Sequence, residues 1–240
     1  MALTKWEKTD SVAILSMTNG ENRHNRQFAE EMLQSLSDIL KDPSVHSLIL
    51  TSSDIKNFSQ GVDLQWLIQR KAENDLASMK KFLYRMNDLF KTLLLYPVPV
   101  IAAINGHAYA NGAILSCACD FRFMRSDRGF FCFPEVEIGI PFLPGMIAWV
   151  KKAIPYYKFI ELKLSGRRAA AQELEEHHVI VKACADLDDL MKQSIEFAKT
   201  FHKKRGIFGE MKKRMHKEII DIIENEDPKY IEPLNILVEN

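Results

Sequence analysis

Two short runs of almost unbroken apolar sequence, residues 47–51 and 98–104, each lead into a glycine-bearing turn that opens a helix-like stretch. Apolar runs of that length bounded by turn residues read as buried strands, and the helical patterns around them point to an α/β protein. Residues 4–18 read as two strands about Thr9-Asp10-Ser11, with a loop starting at Asn19-Gly20. Residues 27–40 carry Phe28, Met32, Leu36, Ile39 and Leu40 at helical spacing and stop before Asp42-Pro43, which gives a strand-helix-strand unit with residues 47–51. Residues 75–96 form a long amphipathic helix ended by Pro97, and residues 121–124 and 129–132 are short strands about Asp127-Arg128.

From Gly145 onward the pattern turns helical, with helices expected at 145–153, 156–164, about 170–176, 187–203 and 208–224. We therefore expect an α/β core over 1–144 and a helical region over 145–240. No Ser/Gly/Pro-rich linker separates them, so the two are expected to pack tightly. At 240 residues the chain can bury a full core. Lys plus Arg equals Asp plus Glu at 32 each, which argues against a general nucleic-acid binder and leaves any anionic partner to be met locally. Cys117, Cys119, Cys132 and Cys184 sit among apolar residues without metal-module spacing, so they read as reduced and buried. The first eight residues lack an apolar signal core, and no stretch reaches the ~18 apolar residues of a membrane span. A cytoplasmic protein is the expectation, and delivery to a matrix by a removed presequence is compatible with it.

The chemistry sits in the two turns. The first is Asn57-Phe-Ser-Gln-Gly-Val-Asp-Leu64, the second Asn105-Gly-His-Ala-Tyr-Ala-Asn-Gly-Ala-Ile-Leu115. The first N–H groups of a helix lack intrahelical partners and lie at the positive end of its dipole, so the backbone N–H groups of Val62 and Asn111 are candidate donors to one developing oxyanion. Gly112, just after Asn111, permits close approach of a ligand to the backbone. A carboxylate follows in Phe133-Pro134-Glu135-Val136, among apolar neighbours whose burial would raise its pKa and improve it as a base. Together these suggest proton transfer through an enolate. Glu137 falls on the same face if the strand stays extended, so spacing leaves Glu135 and Glu137 both open. His177-His178 at a helix-to-strand transition, and His202 and His216 on charged helical surfaces, read as solvated. Lys203-Lys-Arg205 reads as a solvated helix end. Ser59 and Ser116 lack a nucleophile-elbow setting, and no phosphate loop or dinucleotide fingerprint is present.

At these residues the sequence resembles the crotonase, or enoyl-CoA hydratase/isomerase, superfamily, over roughly residues 5–200. Phe58-Ser-Gln-Gly-Val-Asp-Leu64 is similar to that family's first oxyanion turn, Ile104-Asn-Gly-His107 through Asp120 to its second, and Phe133-Pro-Glu135 to its catalytic segment. The resemblance implies a core of repeated strand-strand-helix units with a C-terminal helical subdomain. It implies an acyl-CoA thioester substrate, with no metal and no cofactor beyond the CoA carried by the substrate. It assigns the oxyanion donors to Val62 and Asn111 and the acid/base to Glu135 rather than Glu137. Gly61, Asp63, Leu64 and Gly112 would border the substrate, and Arg23 and His24 fall in the family's CoA-contacting loop.

Hydratases of this family carry a second glutamate two residues past the second-turn glycine, and here that position is Ile114. A lone glutamate is the pattern of Δ3,Δ2-enoyl-CoA isomerases, and Arg125-Ser-Asp-Arg-Gly129 and Glu135-Val-Glu-Ile138 are similar to isomerases of the plant peroxisomal type. Other acyl-CoA reactions of the superfamily (hydration, hydrolysis, decarboxylation) and non-catalytic acyl-CoA binding are the alternatives. The resemblance also implies a homotrimer or dimer of trimers, with the helical part at the subunit contacts and no nucleic acid or membrane as partner.

Overall fold

The computed structural model describes residues 2–238. In chain order the elements are β1 (Thr4–Thr9), β2 (Val12–Met17), β3 (Arg23–His24), α1 (Arg26–Leu40), β4 (Ser47–Ser52), β5 (Asn57–Ser59), β6 (Gly61–Val62), α2 (Leu64–Ala72), α3 (Leu76–Leu94), β7 (Val100–Ile104), β8 (His107–Tyr109), α4 (Asn111–Ala118), β9 (Phe121–Arg125) and β10 (Phe131–Cys132). A 3-10 turn, Pro134–Val136, precedes α5 (Pro144–Ala153), α6 (Tyr156–Ser165), β11 (Arg168–Ala169), α7 (Ala171–Glu176), β12 (Lys182–Cys184), α8 (Leu187–Ala198), α9 (Arg205–Met215), α10 (Lys217–Asn225) and α11 (Pro228–Ile231).

Three successive passes of the chain build the core. Each lays its first strand (β4, β7, β9) into a six-stranded sheet ordered β1-β2-β4-β7-β9-β12 and its second (β5, β8, β10) into a four-stranded sheet ordered β11-β10-β8-β5. The larger sheet is parallel except for the β1–β2 hairpin. Its side chains sort by the two-residue period of a strand. Ala13, Leu15, Met17, Leu48, Leu50, Val100, Ala102 and Ile104 face the main core, while Val12, Ile14, Ile49, Ile101 and Ala103 face a second layer with Leu190 and Ala198 of α8. Both faces are thus covered, which is why these strands read as unbroken apolar runs. On the main side α1 buries Phe28, Ala29, Met32, Leu36 and Ile39, and the Asn25 side chain caps its first turn by accepting from Phe28 N–H at 3.0 Å.

Residues beyond 144 take part in both larger sheets. β11 pairs antiparallel with β10, and β12 extends the six-stranded sheet by pairing with β9. The helix expected over 187–203 ends at Ala198, and the one expected over 208–224 is two helices that meet at His216. His216 is buried at this junction rather than solvated, and burial pushes its imidazole down to about 4. Arg205 is half-buried and donates to the carbonyls of Leu40, Asp42 and Val45, so it anchors α9 to the end of α1 instead of lying free at a helix end. All four cysteines are free and buried. No helix among the described residues is long and apolar enough to cross a membrane.

Asp227 staples the last helices to the core. It is fully buried, and its carboxylate accepts from Gly145 N–H at 2.7 Å and from Asn87 Nδ2 at 2.9 Å. Burial lifts its carboxyl to about 6 against an ordinary 3.8. Because the folded-state value is the higher, this group withdraws stability as pH rises from about 4 through about 6, by roughly 3 kcal/mol in full. Asp227→Asn should therefore gain stability relative to the wild type at neutral pH and not at about pH 4. Urea denaturation of both proteins across that range measures the difference, and a gap that does not change with pH would refute it.

Candidate active site

The first turn is shaped by Gly61 and β3. Gly61 has φ +79°, a conformation that disfavours side chains, and a Cβ there would lie 2.8 Å from Asn111 N and 2.9 Å from Tyr109 O. Its absence lets β6 close on the start of α4. Asp63 N–H donates to His24 O at 2.9 Å across the β3–β6 pair, so the alternation of a strand turns Val62 N–H to the other side. The Asp63 carboxylate caps α2 by accepting from Trp66 N–H.

In the second turn, Ala110 holds φ +50° and ψ −125°, and α4 begins at Asn111. A non-glycine residue at positive φ is costly and needs its surroundings to hold it there. Ile114 N–H makes the first helical bond, to Ala110 O at 3.1 Å, so the N–H of Asn111 precedes the bonded part of the helix. The missing Cβ of Gly112 faces β5. A Cβ on it would meet Ser59 O at 2.4 Å and Ser59 Cβ at 2.8 Å, so its smallness serves the packing of α4 on β5.

The segment after β10 does not stay extended. Pro134 starts the 3-10 turn, Glu137 N–H donates to Pro134 O, and the two glutamates part. Glu135 is 5% exposed, whereas Glu137 is on the surface. Burial raises the Glu135 carboxyl, and the ammonium of Lys163 on α6, 3.4 Å from Oε2, opposes that shift.

One cavity of about 300 Å³ brings these pieces together: Val62, Ala110 and Asn111 line it, as does Glu135. Most of the remaining wall is apolar, including Leu64, Leu67, Phe82, Ile114, Phe142 and Ile236. Arg23 also lines it. Gly61, Asp63 and Gly112 are not part of its lining.

His24 is not a surface contact. The strand alternation that points Arg23 into the cavity points His24 inward, where it is fully buried and stacked on Phe28 with ring centroids 4.3 Å apart. Ser59 Oγ donates to Asn22 O at 2.8 Å, so it must accept from His24 Nε2–H at 2.9 Å. His24 Nδ1 then accepts from Asn111 Nδ2 at 2.9 Å. The chain of donors fixes one neutral tautomer, in keeping with burial that pushes this imidazole down to about 3, and it locks the side chain of Asn111 beside the cavity. Sequence reasoning missed this role because a two-residue strand leaves no periodicity to read. It also missed Lys163, 28 residues from Glu135 in sequence.

Two backbone N–H groups and one buried carboxylate in an apolar cavity can stabilise a developing oxyanion and move a proton beside it. Among the described residues no group of three His, Cys, Asp or Glu side chains is arranged to hold a metal.

The sequence model described as "Enoyl-CoA hydratase/isomerase" matches residues 7–227. The chain is 29% identical over 227 residues to the peroxisomal enoyl-CoA delta isomerase 2 of Arabidopsis thaliana, covering 90% of this chain and 93% of that one. It is 26% identical over 230 residues to enoyl-CoA delta isomerase 3 of the same plant, with 91% and 94% covered. Among solved structures, an enoyl-CoA hydratase from Bacillus halodurans superposes with a TM-score of 0.85 at 20% identity, over 96% of this chain and 92% of that one.

Proposed function

The chain belongs to the enoyl-CoA hydratase/isomerase family, and on that premise we propose that it is a Δ3,Δ2-enoyl-CoA isomerase, shifting the double bond of a 3-enoyl-CoA to the 2-trans position. The observation that carries this reading is the pairing of Glu135, the one carboxylate lining the cavity among the described residues, with an apolar side chain, Ile114, where hydratases of the family carry a second glutamate. The thioester carbonyl would take the N–H groups of Val62 and Asn111, each donor worth about 3 to 4 kcal/mol in the transition state by analogy with measured deletions. Glu135 removes a C2 proton, the dienolate spreads its charge from the oxyanion to C4, and the same carboxyl returns the proton there. No water enters the balance. The apolar wall accepts the acyl chain and excludes solvent from the dienolate.

The test is a parallel assay of a 3-enoyl-CoA and a 2-trans-enoyl-CoA with one preparation. Turnover of the first should dominate, and in D2O part of the migrating hydrogen should be retained in the product. Efficient formation of a 3-hydroxyacyl-CoA from the second, with little shift of the first, would make the protein a hydratase, and binding without turnover of either would make it an acyl-CoA binder.

A further inference from the structure

We propose that Lys163 is the positioning residue of this site, holding Glu135 ionised and oriented as the base in a cavity whose walls favour the neutral acid. The inference rests on the isomerase reading for its catalytic consequence. An apolar enclosure penalises a carboxylate, and a protonated Glu135 cannot accept a proton from substrate. The ammonium of Lys163 lies 3.4 Å from Glu135 Oε2, with side-chain exposures of 15% and 6%. Helix α6, which carries it, packs directly on the 3-10 turn that carries Glu135.

The same ammonium sits 3.5 Å from the centroid of the Phe142 ring, which lines the cavity. Once Glu135 has taken the proton, Lys163 loses its counter-charge, and the face of that ring still attracts the cation. The lysine can therefore stay in place through both halves of the proton transfer.

The other groups around the turn leave this task to Lys163. Glu137, on the same turn, points to the surface against Gly166. From β10, the Cys132 thiol donates to Gly166 O. From β8 comes Tyr109, beside Arg168 of β11. On α6 itself Glu161 is engaged by Lys158 and Arg167. Arg23 lines the cavity from β3.

The experiment compares wild type, Lys163→Met, Lys163→Gln and Lys163→Arg by two measurements. One is the 13C titration of the Glu135 carboxyl, its signal assigned by its loss in Glu135→Gln. The other is kcat/KM for a 3-enoyl-CoA against pH. In the Met and Gln variants the carboxyl titration and the acidic limb of kcat/KM should both rise by about one to three pH units, with the deficit shrinking as pH increases. Arg should hold both close to their wild-type positions, a rescue that a purely structural loss would not produce. An unmoved Glu135 titration in a folded Met or Gln variant overturns the proposal. If the wild type itself does not turn over the substrate, the isomerase reading fails, and the carboxyl titration still decides whether Lys163 sets the charge of Glu135.

Discussion

On the isomerase proposal, Glu135→Gln should lower turnover of a 3-enoyl-CoA by roughly 100- to 10,000-fold while leaving acyl-CoA affinity within a few-fold of wild type, because it removes the proposed proton acceptor and keeps the shape of the site. The amide occupies the same volume beside Lys163, so the thioester can still be held by the backbone of the two turns. Glu137→Gln is the control. Its side chain is on the surface, two residues along a turn that rotates it away from the cavity, and its turnover should stay near that of wild type. Steady-state kinetics with a 3-enoyl-CoA, paired with equilibrium binding of an unreactive acyl-CoA, separates the two variants. A dead Glu137→Gln beside an active Glu135→Gln would reverse the assignment.

Gly112→Ala should be strongly destabilising. A methyl group there would sit 2.4 Å from a backbone oxygen, Ser59 O, and every residue of α4 is buried, so no flexible side chain can yield. Overpacking of a rigid core costs about 1 to 3 kcal/mol and occasionally more. At this chain size that corresponds to a fall in Tm of roughly 2 to 12 °C. Activity should fall with it, since the strain is relieved by lifting α4 off β5 and moving Asn111 N–H. Gly206→Ala on α9 is the matched comparison, because nothing lies within 4 Å of a Cβ at that position. Thermal melts of the two should diverge by several degrees, and equal melting points would mean that α4 can shift freely. The sequence leaves Gly112 open between close approach of a ligand and a packing role, and the contact with Ser59 supports packing.

The strands and helices with clear periodicity were legible in the sequence, as were the two turns and the carboxylate that the fold gathers at one cavity. Residues 98–104 are apolar on both faces and could hardly be anything but an interior strand. What was not legible came from pairings that no local pattern encodes. His24 is placed by β3 against β6, two residues each, and its partners Ser59 and Asn111 are 35 and 87 positions away. Lys163 lies on a helix whose sequence reads as ordinary amphipathic surface, and only the packing of α6 on the 3-10 turn turns it inward. Which of Glu135 and Glu137 lines the cavity depended on whether the chain stayed extended after Cys132, and the 3-10 turn started by Pro134 places Glu135 there. His216 was misread because one continuous helix would have exposed it, whereas the break between α9 and α10 buries it.

The participation of α8 and β12 in the larger sheet has a consequence for synthesis in the cell. One face of β2, β4, β7 and β9 is covered by Leu190, Ala198 and their neighbours on α8, and the outer edge of β9 is covered by β12. During translation these strands leave the ribosome many residues before their cover exists. At ordinary elongation rates the interval is on the order of ten seconds, far longer than collapse takes. The residues of an apolar sheet face and of a strand edge therefore stay uncovered for that time, in which aggregation competes with folding.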